Sequence, residues 1–315
     1  MTIACELAQH VRDECSKVIV GQRQLIDDLL LVVLTNAHAL IEGVPGLAKT
    51  LAVKTLAQLF QFQFQRVQCT PDLIPADILG ANVFNQALNS FSLHRGPIFT
   101  DLLLVDEINR TPPRTQSALL EAMEETQVTI DGTTHLLSRN FGVFATQNPI
   151  EFEGTYPLPE AQLDRFLMKI RIRYPESAEE RTILERYQTG FEPRSLDRLG
   201  LRPVVPAMLE NARQEVKQVR VEPALFDYII AIVRQTRQAP AVSLGASPRA
   251  AIALMFVAKA TAATEGRDFV VPDDVKASAL SVLRHRLMLK PEADLEGLTT
   301  DDVVRETLSG VEVPQ

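Results

Sequence analysis

The chain has 315 residues, 46% hydrophobic and 23% charged, which is ample for one or two packed cores and carries none of the bias of a disordered or fibrous chain. No apolar run approaches the roughly 20 residues of a membrane-spanning helix. Charged residues Glu6, Arg12, Asp13, Glu14 and Lys17 leave the first twenty residues without a signal-peptide core, so a cytoplasmic protein without membrane insertion is expected. Three separate cysteines and five scattered histidines argue against a disulfide framework or a structural zinc site. A net charge of −8 argues against a strong non-specific grip on nucleic acid, while leaving room for a local basic groove.

In chain order, short apolar runs at residues 38–42, 62–67, 102–105, 142–145 and 166–172 read as strands, with helical stretches between them. That alternation predicts an α/β fold with a mostly parallel sheet covered by helices, over residues 1–176. Beyond Pro175 the strand candidates stop. Residues 177–187 read as a helix, 189–206 as a linker, and from Val221 onward Leu225, Tyr228, Ile229, Ile232 and Val233 fall on one helix face. Helices over 248–264 and 272–283 follow, the second opened by Pro272 and Asp273. Residues 177–315 are thus expected to form a small all-helical domain.

The chemistry starts directly after the first strand, at Gly43-Val44-Pro45-Gly46-Leu47-Ala48-Lys49-Thr50, which leads into a helix over 51–60. Strand, glycine-bearing loop and helix form the context of a phosphate loop: backbone N–H groups and the helix N-terminus face the phosphates, Lys49 adds a full positive charge, and Thr50 offers a hydroxyl to Mg2+. Ala48 stands where this loop usually has glycine, and fits if its backbone is helical. The competing reading is an ordinary turn with a solvated lysine.

The strand 102–105 then delivers Asp106 and Glu107 to the sheet edge where α/β proteins bind ligands. Asp106 would hold Mg2+ through water and Glu107 would polarise the water that attacks a γ-phosphate; read alone, the pair is better taken as a buried strand ending in solvated acids, and the upstream loop reverses that preference. Asn148, after the strand 142–145, would orient that water or the γ-phosphate, or else caps a turn before Pro149. Arg165 and Arg249 are two further arginines of note, each also readable as a plain surface arginine. Residues 81–96 and 126–137 read as hairpins, the second turning at Asp131-Gly132.

Together these residues resemble the AAA+ ATPases, and within them the MoxR group. The resemblance covers nearly the whole chain and rests on Val20-Gly21-Gln22, Glu42 to Thr50, Leu102 to Arg110, Thr146 to Phe166 and Ser247 to Ala250. Asp106-Glu107-Ile108-Asn109-Arg110 and the run from Gly154 to Phe166 are highly specific to that group, and Ala48 looks like the group's own variant of the loop. The resemblance implies an AAA+ core followed by a helical lid. It matches Gly43 to Thr50 with Walker A, Asp106 and Glu107 with Walker B, Asn148 with sensor 1, Arg249 with sensor 2 and Arg165 with the arginine finger, and puts Val20, Gly21 and Gln22 against adenine. The hairpins correspond to a helix-2 insert and a pre-sensor hairpin facing the opening of a ring, with surface decoration as the alternative. An arginine finger acts on a neighbour's nucleotide, which implies a homo-oligomer, expected to be a hexamer, with ATP and Mg2+ as ligands. Arg249 is expected to sense the nucleotide of its own subunit. The function implied is ATP-driven, chaperone-like remodelling of a client, with a von Willebrand A domain protein among the partner types; a slow nucleotide switch or scaffold and a nucleic-acid translocase are the alternatives.

Overall fold

The computed structural model describes residues 2–86, 89–149, 154–193 and 196–314. Residues 87–88 of the first expected hairpin, 150–153 of the Thr146–Phe166 stretch and 194–195 of the expected linker lie outside the described residues.

Two helices open the chain, α1 (Ile3–Ser16) and α2 (Arg23–Leu34). The second, RQLIDDLLLVVL, is apolar over most of its circumference and is buried accordingly, with Leu29 to Leu34 all inside. Then come β1 (Ala39–Glu42), α3 (Lys49–Leu59), β2 (Phe64–Gln68), α4 (Pro75–Leu79), the hairpin β3 (Gly80–Asn85) and β4 (Ser90–Arg95), and β5 (Leu102–Asp106). A short 3-10 turn, Ile108–Arg110, precedes α5 (Pro113–Glu125), the hairpin β6 (Gln127–Ile130) and β7 (Thr133–Leu136), β8 (Gly142–Gln147), α6 (Glu160–Leu163) and β9 (Met168–Arg171).

Five strands form one sheet in the order β2-β5-β8-β1-β9, and every neighbouring pair is parallel. Leu102, Leu103, Leu104 and Val105 of β5 are buried, as a strand covered on both faces requires. Because β1 lies between β8 and β9, its C-terminal end opens onto a crevice flanked by the ends of both.

Both hairpins expected from the sequence are present. Asp131 and Gly132 turn the second with φ of 48° and 79°, the signature of a type I′ turn. At the base of the first, a Cβ on Gly80 would lie 2.3 Å from the His94 carbonyl oxygen and one on Gly96 2.2 Å from that of Ile78, so both positions require glycine. Asn82 Nδ2 donates to Asp131 Oδ2 at 2.9 Å and ties the hairpins together. Phe84 and Phe91 pair across the first hairpin with ring centroids 5.2 Å apart, both exposed.

The C-terminal half contains α7 (Ser177–Gln188), a 3-10 turn at Leu196–Leu199, α8 (Pro206–Gln218), α9 (Pro223–Gln238), β10 (Val242–Leu244), α10 (Pro248–Thr264), α11 (Pro272–Leu283), β11 (Met288–Leu289), α12 (Pro291–Leu295) and α13 (Thr300–Gly310). One expectation needs correction. The strands do not stop at Pro175, since β10 and β11 pair antiparallel, but at three and two residues they are too short to show alternation. Within the stretch expected as a linker, Leu196 and Val204 are buried and the Val204 N–H donates to the Leu59 carbonyl at 2.7 Å, so its described residues pack on the core. One continuous hydrophobic cluster runs from Ala4 and Leu7 through the sheet face to Val257, Val282 and Val304, so core and lid share their packing.

Asp28 is a cost inside that cluster. Burial pushes its carboxyl up to about 6, against the downward pull of a hydrogen bond from Gln24 (2.8 Å) and of nearby Arg284. An acid whose folded pKa is raised destabilises the fold above that pKa and costs nothing below its unfolded value. Asp28→Asn is therefore expected to stabilise the protein by about 2–3 kcal/mol at pH 7, an advantage that shrinks as pH falls from 6 toward 4. Urea unfolding of both proteins at pH 4.5 and 7 checks this; a constant difference would refute the assignment.

Candidate functional site

The phosphate-loop residues follow β1 at the C-terminal edge of the sheet. Gly43 N–H donates to the Gln147 carbonyl at the end of β8 (3.3 Å), which brings the start of the loop beside Asn148. Gly46 turns the loop with φ 88°, and Lys49, first residue of α3, curls back so that Nζ donates to the Gly43 carbonyl at 2.6 Å. Ala48 departs from the expectation of a helical backbone of the ordinary hand: it is left-handed, φ 57° and ψ 21°. That explains why glycine is usual there, since a Cβ in this region costs about 1–2 kcal/mol. Gln22 and Glu107 share the left-handed conformation, at φ 51° and 61°, so three turns around the site hold strained backbone.

Asp106 and Glu107 end β5 two strands away from β1. Asp106 Oδ1 accepts from Thr146 Oγ1 at 2.5 Å, and its Oδ2 pairs with Arg66 Nη2 at 2.7 Å. Thr146 Oγ1 also accepts from the Glu107 N–H (2.9 Å), locking β5 to β8 where Asn148 follows. The Glu107 carboxylate is held through Oε2 by Arg110 (3.0 Å) and by Gln68 Nε2 (3.3 Å). Arg66 and Gln68, both on β2, escaped sequence reasoning; the available signal was two long polar side chains, two residues apart, at the C-terminal end of a strand. Among the described residues no cluster of three or more His, Cys, Asp or Glu forms a metal cage. The donor set of Thr50 and Asp106 still fits Mg2+, a hard cation that keeps several waters and needs only one or two protein oxygens beside substrate phosphates.

Beside the loop lies a cavity of about 130 Å³, mostly apolar, formed by Ile19, Val20, Gln22 and Leu47 from the core and by Ile183, Tyr187 and Phe191 from α7 and the residues after it. Gln22 is fixed there by donating to the Arg173 carbonyl at 2.8 Å. The cavity brings Val20 and Gln22 beside Gly46, Leu47 and Ala48 of the loop, while Gly21 lines a separate pocket with Ile19 and Arg23. A wider cleft of about 860 Å³, lined by charged and apolar side chains together, adjoins the cavity between β9, α2 and the lid helices α11 and α13. It is spanned by a chain of ion pairs: Lys169 and Arg171 on Glu42 (2.5 and 2.7 Å), then Arg171 and Arg284 on Asp301 (3.2 and 2.9 Å). Burial would raise the Glu42 carboxyl, but Lys169 and Arg171 outweigh it and hold the group below the usual range.

Arg165 and Arg249 are not at this edge. Arg165 precedes β9, and two residues later the Leu167 N–H donates to the His38 carbonyl at the start of β1. Arg165 pairs with Glu124 Oε2 at 2.8 Å and Arg249 with Glu124 Oε1 at 2.9 Å. Glu124 follows Met123, whose carbonyl is bonded by His38 Nε2, so all three groups gather at the N-terminal edge of the sheet. The length of β1 alone, about 13 Å, separates that edge from the phosphate loop. The first turn of α10, which carries Arg249, is docked on this side of the core through Ser247 on Asp164 and Arg249 on Glu124. Hydrogen bonds, first from Arg249 and then from Arg165, hold the Glu124 carboxyl below the usual range.

Comparison with known proteins agrees with this architecture. Residues 38–168 match the model of the ATPase family associated with various cellular activities (AAA), and residues 234–307 match that of the AAA lid domain. The chain is 42% identical to Chaperone MoxR1 of Mycobacterium tuberculosis, over 96% of this chain and 81% of that one. This chain belongs to the MoxR family of AAA+ ATPases. It is also 46% identical to YeaC of Bacillus subtilis, over 96% of this chain and 93% of that one. The crystal structure of a putative ATPase from Cytophaga hutchinsonii superposes with a TM-score of 0.89 at 42% identity, covering 99% of this chain and 97% of the other. No helix among the described residues of this MoxR-family chain is long and apolar enough to cross a membrane.

Proposed function

We propose that this MoxR-family protein hydrolyses ATP with Mg2+ in a ring of identical subunits, expected to be a hexamer, and uses the cycle to remodel a client protein in the cytoplasm. The observation that carries the reading is that Arg165 and Arg249 share one carboxylate at the edge opposite their own phosphate loop. Two paired arginines there, Arg165 part-buried and Arg249 exposed, suit the phosphates of a neighbouring subunit and are out of reach of their own.

In this mechanism the loop amides, the α3 N-terminus and Lys49 hold the β- and γ-phosphates, and the α7 cavity takes the base. Thr50 and, through water, Asp106 would hold Mg2+, which would supply neutralising positive charge to the phosphates. Glu107 polarises a water aligned by Asn148; its oxygen bonds to the γ-phosphorus as the bond to the β-phosphate oxygen breaks, releasing ADP and phosphate. Arg165 and Arg249 of the neighbour stabilise the charge that builds on the transferring group. Lid and finger are bonded together, so a change in the neighbour's nucleotide state moves this subunit's lid, which is the route to work on a client. The name Chaperone MoxR1 of the Mycobacterium relative supports a client-directed role, and a von Willebrand A domain protein is the partner type we favour. The two linked hairpins, with Phe84 and Phe91 exposed, would face the ring's opening.

A slow nucleotide switch is the second reading. It is favoured by the way Glu107 is tied to Gln68 and Arg110, and Asp106 to Arg66, in a resting arrangement. Calorimetric titration with Mg-ATP tests the shared foundation: Lys49→Ala is expected to weaken binding about 10- to 100-fold, the loss of charge-assisted hydrogen bonds. Unchanged affinity would remove the phosphate loop from the account.

A further inference from the structure

Glu124 has no part in phosphate-loop chemistry, yet it joins two domains at the point where both arginines emerge. Arg165 spends Nε (2.9 Å) and Nη2 (2.8 Å) on Glu124 Oε2, and Arg249 spends only Nη2 (2.9 Å) on Oε1. A guanidinium has five donors, so each arginine keeps an outward edge available for a further anion.

A second carboxylate fixes the backbone beneath them. Asp164 Oδ1 accepts from Arg286 Nε at 2.6 Å, and its Oδ2 accepts from Ser247 Oγ at 2.9 Å, the same hydroxyl that caps the Arg249 N–H (3.1 Å). Arg286 is itself buried and donates to the carbonyls of Phe166 and Leu167. The finger loop and the first turn of α10 are thus one body, and what is left to control is where the two side chains point. Without a shared acceptor, two like charges at the ends of flexible stems repel and splay.

We propose that Glu124 is a positioning residue that holds Arg165 and Arg249 at a fixed spacing, as a two-arginine clamp for the γ-phosphate bound by the neighbouring subunit. This rests on the reading that the arginines act across a subunit interface. Glu124 is half exposed, so its replacement leaves the core packing intact.

The test is steady-state ATP hydrolysis, with KM and assembly size, for wild type, Arg165→Ala, Arg249→Ala, Glu124→Ala, Glu124→Gln and the double variant Glu124→Ala with Arg249→Ala. Glu124→Ala is expected to lower kcat about 10- to 100-fold, the cost of a misplaced charge, with KM and assembly unchanged. Glu124→Gln, which keeps one acceptor oxygen, should fall in between. In the Arg249→Ala background, removing Glu124 should cost much less than it does alone, because the pair it spaces no longer exists. A Glu124→Ala rate at or above wild type, with both arginine variants impaired, would overturn the positioning role and make the carboxylate a brake. A loss that comes with a shifted KM or failed assembly would also overturn it. Wild-type rates in both arginine variants would instead bring down the interface reading, and the clamp with it.

Discussion

Glu107→Gln is expected to bind ATP as tightly as the unaltered protein and to turn it over about 10²- to 10⁴-fold more slowly, the usual contribution of a positioned general base. The amide keeps the shape of the side chain and one acceptor oxygen but cannot take a proton from water. Binding should survive because the phosphates are held by the loop, Lys49 and the α3 N-terminus, and Glu107 lies two strands away at the end of β5. Its left-handed backbone and the bond from its N–H to Thr146 do not depend on the carboxylate, so the turn should persist. The check is single-turnover hydrolysis beside equilibrium binding. Turnover within about threefold of wild type would remove Glu107 from water activation and move the protein toward the slow-switch reading.

Arg165→Ala is expected to lose about 10³-fold or more in turnover, the scale on which arginine fingers act, while its own phosphate loop stays intact. The informative experiment is mixing. Arg165→Ala subunits have a sound nucleotide site and no finger, and Lys49→Ala subunits have a sound finger and a nucleotide site that binds ATP weakly and does not turn it over. Where the two sit side by side, the Lys49→Ala subunit lends its arginine to its neighbour's ATP. Mixed rings should therefore recover a measurable part of the activity that neither variant has alone. Absence of any recovery with assembly intact would contradict action across the interface.

What the sequence made legible was local. A phosphate loop is one contiguous run between a strand and a helix, and β5 with Asp106 and Glu107 is another, so composition and spacing carry both without knowledge of the fold. The pairing of Arg165 with Arg249 was out of reach because the carboxylate between them is 125 residues from Arg249. Only the docking of α10 on the core brings them together. Arg66 and Gln68 were hidden for a related reason: they matter because β2 lies beside β5, and adjacency in a sheet is not written in either strand. The helix α8 was overlooked because Pro206 was read as the end of a linker, whereas proline also fits the first turn of a helix, where its missing N–H costs nothing. Ala48 teaches the same lesson at one residue. The sequence showed that it departs from glycine, but only the backbone showed that it pays for a left-handed turn.

The claim at the centre of this account is that the ATPase site is built between subunits. The most direct measurement is the Mg-ATP hydrolysis rate per subunit as a function of protein concentration, with assembly size followed in the same samples and Glu107→Gln as the control. The account predicts a rate per subunit that climbs as subunits assemble and vanishes in Glu107→Gln. A rate per subunit that is constant from dilute monomer to full assembly would contradict it.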